Sequence, residues 1–109
     1  MSSNVKVIHP AGIIDGTAGD QLRRDVSQLI DQGADIILLD LEKVTFMDSS
    51  GLGKLVITLK SVKAAGKKLF ICSINEQVKM LFELTSMNRI FDMFANQAEF
   101  NQVVLSKSQ

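Results

Sequence analysis

Tryptophan and tyrosine are absent from this 109-residue chain, and cysteine, proline and histidine occur once each. A single cysteine excludes an internal disulfide, and no metal-ligand spacing surrounds the single histidine. Cys72 ends the strand-like run Lys68-Leu69-Phe70-Ile71-Cys72, where it reads as a small buried hydrophobe. Long apolar runs are also missing. The longest strongly apolar stretch is the four residues Ile36 to Leu39, too short for a secretory h-region or a membrane span, so a cytoplasmic protein is expected. Twelve basic residues balance twelve acidic ones to a net charge of zero, with no basic block. Nucleic acid is therefore not an expected partner, because binding phosphates requires concentrated Lys and Arg. Enzyme motifs are lacking too. His9 precedes Pro10 and reads as a strand-edge residue, and Gly51-Leu52-Gly53 has neither the Gly-Lys-Ser/Thr ending of a P-loop nor the third glycine of a dinucleotide fingerprint. The expectation is no catalytic activity, no cofactor and no metal.

What is present is an alternation of strand and helix signals on a chain that is 46% hydrophobic, which suits one core and one domain over residues 1–109. Val5 to Ile8 begins a strand, Pro10-Ala11-Gly12 interrupts it and Ile13-Ile14 resumes it; a proline that cannot donate to a ladder makes this strand bulged or places it at an edge. Thr17 to about Gln32 reads as a helix on the stripe Ala18, Leu22, Val26 and Leu29, with Gly33 at C′. Asp35 to Leu41 lacks alternation, as a central parallel strand buried on both faces does. A short extended run, Val44 to Met47, follows. The second helix is expected from about Ser50 to Ala65, with Leu52, Leu55, Val56, Leu59 and Val62 on one stripe and Gly66 at its end. Leu69 to Cys72 is the next strand, Ser73-x-x-Glu76 reads as a capping box for a third helix through Leu84, Asn88 to Phe94 holds a short strand, and Glu99 to Leu105 a terminal helix. Met80, Leu84 and Met87 read as gap-filling core. The fold class expected is α/β: a single-layer mixed, largely parallel sheet of about four strands, with about four helices mainly on one face. Residues 1–4 and 106–109 are expected to fray.

The run Phe46-Met47-Asp48-Ser49-Ser50-Gly51-Leu52-Gly53 concentrates the functional signal, because it places two serines where a strand passes into a helix. A serine there is ordinarily an N-cap, and one reading is no more than that. Two serines leave one hydroxyl over, and an anion at that point gains from orphan N–H groups and the helix dipole. With Ser50 as cap, Ser49 is the exposed hydroxyl, one residue outside the helix. Gly51 and Gly53, poor helix formers in the first turn, imply close approach by another backbone or by a partner. At about 100° per residue, Ile57 falls opposite the buried stripe, where it either docks a partner or touches a neighbouring element.

This eight-residue run resembles the signature of the STAS domain, in particular that of the small bacterial anti-sigma factor antagonists. The resemblance extends from about Val5 to Val104 and includes Gly12-Ile13-Ile14-Asp15 and Ser73-Ile74-Asn75-Glu76. Typical members carry a further strand ahead of the segment matching Val5 to Ile8, which implies a sheet one strand shorter here. The resemblance implies that the unphosphorylated protein binds an anti-sigma factor that is a serine kinase, freeing a sigma factor, and that phosphorylation of Ser49 ends the complex. It leaves open a serine phosphatase as a further partner, and a monomer or weak homodimer as the assembly. Asp15, Asp48, Ser49, Ser50, Gly51, Gly53 and Ile57 are the expected partner-binding residues, with Asp15 matching the family's acidic position before the first helix. Two alternatives stand beside this reading. One is a STAS interaction module of another signalling or transport complex, including one never phosphorylated; the other is a receiver-like domain in which Asp40 accepts the phosphate, although the first strand ends in His9-Pro10 instead of an acidic pair able to hold Mg²⁺.

Overall fold

A computed structural model describes residues 4–106. Strands β1 (Val5–Ile8) and β2 (Ala11–Ile14) lead into α1 (Gly16–Asp31). Strands β3 (Ile36–Asp40) and β4 (Lys43–Met47) lead into α2 (Ser49–Ala64). Strand β5 (Lys68–Cys72), α3 (Glu76–Leu84), β6 (Asp92–Phe94) and α4 (Gln97–Phe100) complete the order, with a 3₁₀ turn at Met87–Arg89 and a π turn at Asn101–Leu105. A four-stranded sheet runs β1-β3-β5-β6, and every pair in it is parallel. The expected sheet of about four strands is there, with β1 at its edge.

Pro10 does more than bulge an edge strand. It separates β1 from β2, which leaves the main sheet and pairs in parallel with β4 as a second, two-stranded sheet. The register there jumps from Gly12↔Val44 to Ile13↔Phe46, so Thr45 is the extra residue of a bulge. The bulge absorbs one residue without reversing the faces. Ile14 and Met47 stay buried while Ile13 and Phe46, paired across the ribbon, face solvent.

Strand β3 is buried throughout, as its continuous apolar run predicts. Ile37 and Leu39 pack with Leu22 and Val26 of α1, Leu52, Leu55, Leu59 and Val62 of α2, and Val78 and Phe82 of α3. Ile36 and Leu38 point to the other face, where Cys72 and Phe100 close a smaller cluster with Phe70 and Phe94. Three helices thus cover one face and α4 the other. At about 1.5–3 kcal/mol for each large apolar side chain buried, the face covered by three helices, with the larger cluster, carries most of the stabilisation.

Both major helices end as expected. Gly33 and Gly66 take positive φ; beyond α1, the N–H of Gly33 reaches Ile30 and that of Ala34 reaches Leu29, the double bond of a Schellman motif. Other expectations give way. The third helix is capped by Asn75, whose Oδ1 accepts from the Val78 N–H, whereas Ser73 adopts a φ of 64° and caps nothing. Met80 and Leu84 are exposed, because Val78 and Phe82 define the inner face of α3; Met87 alone of the three packs on the core. Asn4 is held in place: its N–H donates to Asp35 Oδ2 and its carbonyl accepts from the Asp35 and Ile36 N–H groups. Residues 1–3 and 107–109 of the expected frayed ends lie outside the described residues.

Candidate functional site

Two helices begin side by side at the end of the β2–β4 ribbon. Because Ile14 pairs with Met47, the residues that follow, Asp15 and Asp48, leave the ribbon together, and the Asp48 N–H still reaches the Ile14 carbonyl at 3.3 Å. Each aspartate caps its helix. Asp15 Oδ1 accepts from the Ala18 N–H at 2.9 Å and Asp48 Oδ1 from the Gly51 N–H at 2.8 Å.

This overturns the expected cap. Asp48, not Ser50, is the N-cap of α2, so Ser49 and Ser50 occupy its first two helical positions. The physical reason is twofold: a carboxylate is as good a cap as a hydroxyl and also favours the positive helix end, and β4 is pinned to its last residue, which starts the helix immediately after Asp48. That pin is Gln77, whose carboxamide accepts from the Met47 N–H at 2.9 Å and donates to the Met47 carbonyl at 2.8 Å. Asn75 supports the bulge behind it, its Nδ2 donating to the Val44 and Thr45 carbonyls at 3.2 Å each. Neither residue carries a sequence signal for this role, since the contacts join positions about thirty apart.

Both serines are exposed, and among the described residues neither hydroxyl has a hydrogen-bond partner. They do not face the same way. The Ser50 Cβ lies 3.5 Å from where a side chain on Gly16 would start, so it borders the first turn of α1. Ser49 instead heads the line Ser49, Gly53, Ile57, spaced four residues apart on one helical face and exposed at every position. Ile57 is 51% exposed, as its position opposite the buried stripe predicts.

The two glycines separate. Gly51 is buried, and a Cβ added there would stand 2.1 Å from the Ile14 carbonyl oxygen. Its lack of a side chain is demanded from inside the fold, by the backbone of β2. A Cβ on Gly53 would meet nothing within 4 Å. Gly19 of α1 repeats the Gly51 case: a Cβ there would stand 2.6 Å from Lys54 Cβ and 3.4 Å from the Gly51 carbonyl. Lys54 Nζ then pairs with Asp20 at 3.2 Å, and this lysine holds the Asp20 carboxyl below the usual carboxylate range.

The other sequence-level candidate lies elsewhere. Asp40 is 7% exposed at the end of β3, its Oδ2 3.6 Å from His9 Nδ1 and its Oδ1 accepting from the Glu42 N–H. Among the described residues no group of three or more His, Cys, Asp or Glu side chains is placed to hold a metal ion. Cys72 is buried, and burial raises its thiol pKa. No helix of the described residues is long and apolar enough to cross a membrane.

Comparison with known proteins gives this geometry a family. The STAS domain family matches residues 2–100. The chain belongs to the STAS domain family. Over 88 residues it is 38% identical to the anti-sigma-B factor antagonist of Bacillus subtilis (strain 168), covering 81% of this chain and 80% of that protein. A putative anti-sigma factor antagonist from Thermotoga maritima superposes with a TM-score of 0.82 at 27% identity, over 92% of this STAS domain and 86% of its own chain. The Bacillus cell fate determinant SpoIIAA in its phosphorylated form shares the fold, with a TM-score of 0.68 at 21% identity over 94% of each chain.

Proposed function

We infer that this STAS domain is an anti-sigma factor antagonist: unphosphorylated, it binds an anti-sigma factor that is a serine kinase and so releases a sigma factor, and phosphorylation of Ser49 switches that binding off. The observation that carries the reading is the exposed line Ser49–Gly53–Ile57, on a helix whose cap and inner face are already satisfied within the fold. The 38% identity to an anti-sigma-B factor antagonist supports the partner class.

Ser49 is preferred over Ser50 because Ser50 borders α1, whereas Ser49 opens onto the line where a partner would lie. Gly53 leaves that line flat, and Ile57, about 12 Å from Ser49 along the helix at 1.5 Å per residue, supplies an apolar anchor. Asp48, the residue before Ser49, sets a carboxylate beside it, and Asp15 leaves the same end of the ribbon. The kinase would bring the nucleotide and its magnesium; this chain supplies the acceptor oxygen.

The switch follows from charge. Phosphoserine adds about −1.5 to −2 charges next to the Asp48 cap carboxylate. The N–H groups of Ser49 and Ser50, which a helix leaves without internal partners, favour the anion, so the domain itself tolerates it. A bound partner would not, because a charge buried without a counter-ion costs several kcal/mol. Incubation with the cognate kinase and ATP should label wild type and Ser50→Ala but not Ser49→Ala. Calorimetry should then show the phosphoprotein binding the kinase at least about a hundredfold more weakly, the equivalent of roughly 2.7 kcal/mol. Labelling lost only in Ser50→Ala reverses the assignment, and unchanged affinity after phosphorylation sinks the switch.

A further inference from the structure

The hydrogen bonds that fix the approach to Ser49 come from a helix some thirty residues further along the chain. Both backbone groups of Met47 point away from the β2 ladder, and a carboxamide offers the donor and acceptor that a neighbouring strand would. Gln77 therefore stands in for a third strand of the ribbon at Met47, bonding its N–H at 2.9 Å and its carbonyl at 2.8 Å. The next residue is the cap Asp48, and the one after it is Ser49.

We propose that Gln77 is a positioning residue for Ser49: by holding both backbone groups of Met47 it fixes where Asp48 caps α2 and where the Ser49 hydroxyl is presented. The proposal rests on Ser49 being the phosphoacceptor. Asn75 cannot be separated from structure in the same way, because its Oδ1 also caps α3 while its Nδ2 holds the Thr45 bulge. The Gln77 side chain makes no hydrogen bond other than the pair to Met47 among the described residues. Its effect on phosphoryl transfer is geometric. An acceptor oxygen must stand about 3–3.5 Å from the atom it attacks, and a displacement of about 1 Å can lower a rate about a hundredfold.

The test compares Gln77→Met, which keeps length and volume but loses both bonds, with Thr85→Val, which removes the hydroxyl bonds to Leu81 and Phe82 at the far end of α3. With partner kinase and ATP, Gln77→Met should lower kcat for Ser49 phosphorylation by about ten- to a hundredfold, with KM changed less than about threefold. Thr85→Val should leave both constants at wild-type values. A role confined to stability predicts no split between kcat and KM, and equal kcat in Gln77→Met and wild type overturns the proposal. A second measurement needs no kinase: amide hydrogen exchange at Gly51, whose N–H is bonded to Asp48 Oδ1, should be at least about tenfold faster in Gln77→Met while β3 amides keep their protection. Wild-type protection at Gly51 also overturns it. Accelerated Gly51 exchange in a chain whose Ser49 is never labelled would uphold the anchoring of α2 and remove the phosphoacceptor reading instead.

Discussion

The starts of α1 and α2 are near copies: each follows a buried ribbon residue, Ile14 or Met47, and each is capped by an aspartate bonded to the N–H three residues on. Each offers an anion the same dipole and the same orphan donors. What differs is the residues set on that frame. In α1 the first turn carries Gly16 and, one turn on, Gly19, both facing α2; in α2 it carries two exposed hydroxyls. A helix N-terminus and an exposed hydroxyl at its second position, Thr17 or Ser50, are thus shared by both regions, and only α2 adds one at its first position, Ser49, where α1 has Gly16. The dipole is permissive, and the side chain placed on it decides.

The sharpest break in this pairing is Gly51→Ala. Its Cβ would collide with the backbone of Ile14, which cannot swing aside as a side chain can, so a loss of about 3 kcal/mol or more is expected. In a domain of this size that is a fall in Tm of roughly 12 °C or more. Gly53→Ala is the counterpart, expected to raise stability by about 0.5–1 kcal/mol because its surroundings are open. Thermal melts of the two variants decide it; a neutral Gly51→Ala would mean that the helices are not locked through that contact. Next in size are the caps. Asp48→Ala and Asp15→Ala should each cost about 0.5–2 kcal/mol, with Ser50→Ala within about 0.5 kcal/mol of wild type. Denaturant unfolding that found Ser50→Ala as costly as Asp48→Ala would restore the serine as cap.

The smallest expected effect is electrostatic. The Asp20 carboxyl is held below its ordinary value of 3.8 by its hydrogen bond to Lys54, and that of Asp35 by the Asn4 N–H and then Lys67. Carboxylates with depressed pKa values in the fold stabilise it above the unfolded value and lose that contribution as pH falls through the folded one. Melting temperature should therefore drop as pH is lowered below about 3.8, and Asp20→Asn should flatten part of that slope. Superimposable pH profiles would show that the Asp20–Lys54 pair adds nothing to the packing that joins α1 to α2.

The helix periodicities, the buried β3 run, the Gly33 and Gly66 terminations, the exposed Ile57 and the buried Cys72 were all legible in the sequence, because each depends on residues close in the chain. Misplaced features depend on distant ones. Asp48, Ser49 and Ser50 are three capping residues in a row, and which one caps is set by where Gln77 pins β4. Ser73 and Asn75 pose the same ambiguity, settled when Asn75 reached the Thr45 bulge. The exposure of Met80 and Leu84 follows from which face of α3 the core takes, that of Val78 and Phe82. The transfer of the chain from one sheet to another at Pro10 was visible as an interruption, but not as a change of partner.

The seat of Gly51 against the Ile14 carbonyl has one more consequence. A phosphate on Ser49, the switch proposed above, would stand on a stiff mount, since the turn that bears it is seated at Gly51 directly on the Ile14 backbone. A soft mount would let an added charge swing aside and dissipate its repulsion as local movement. Here the load would pass instead to whatever faces the helix.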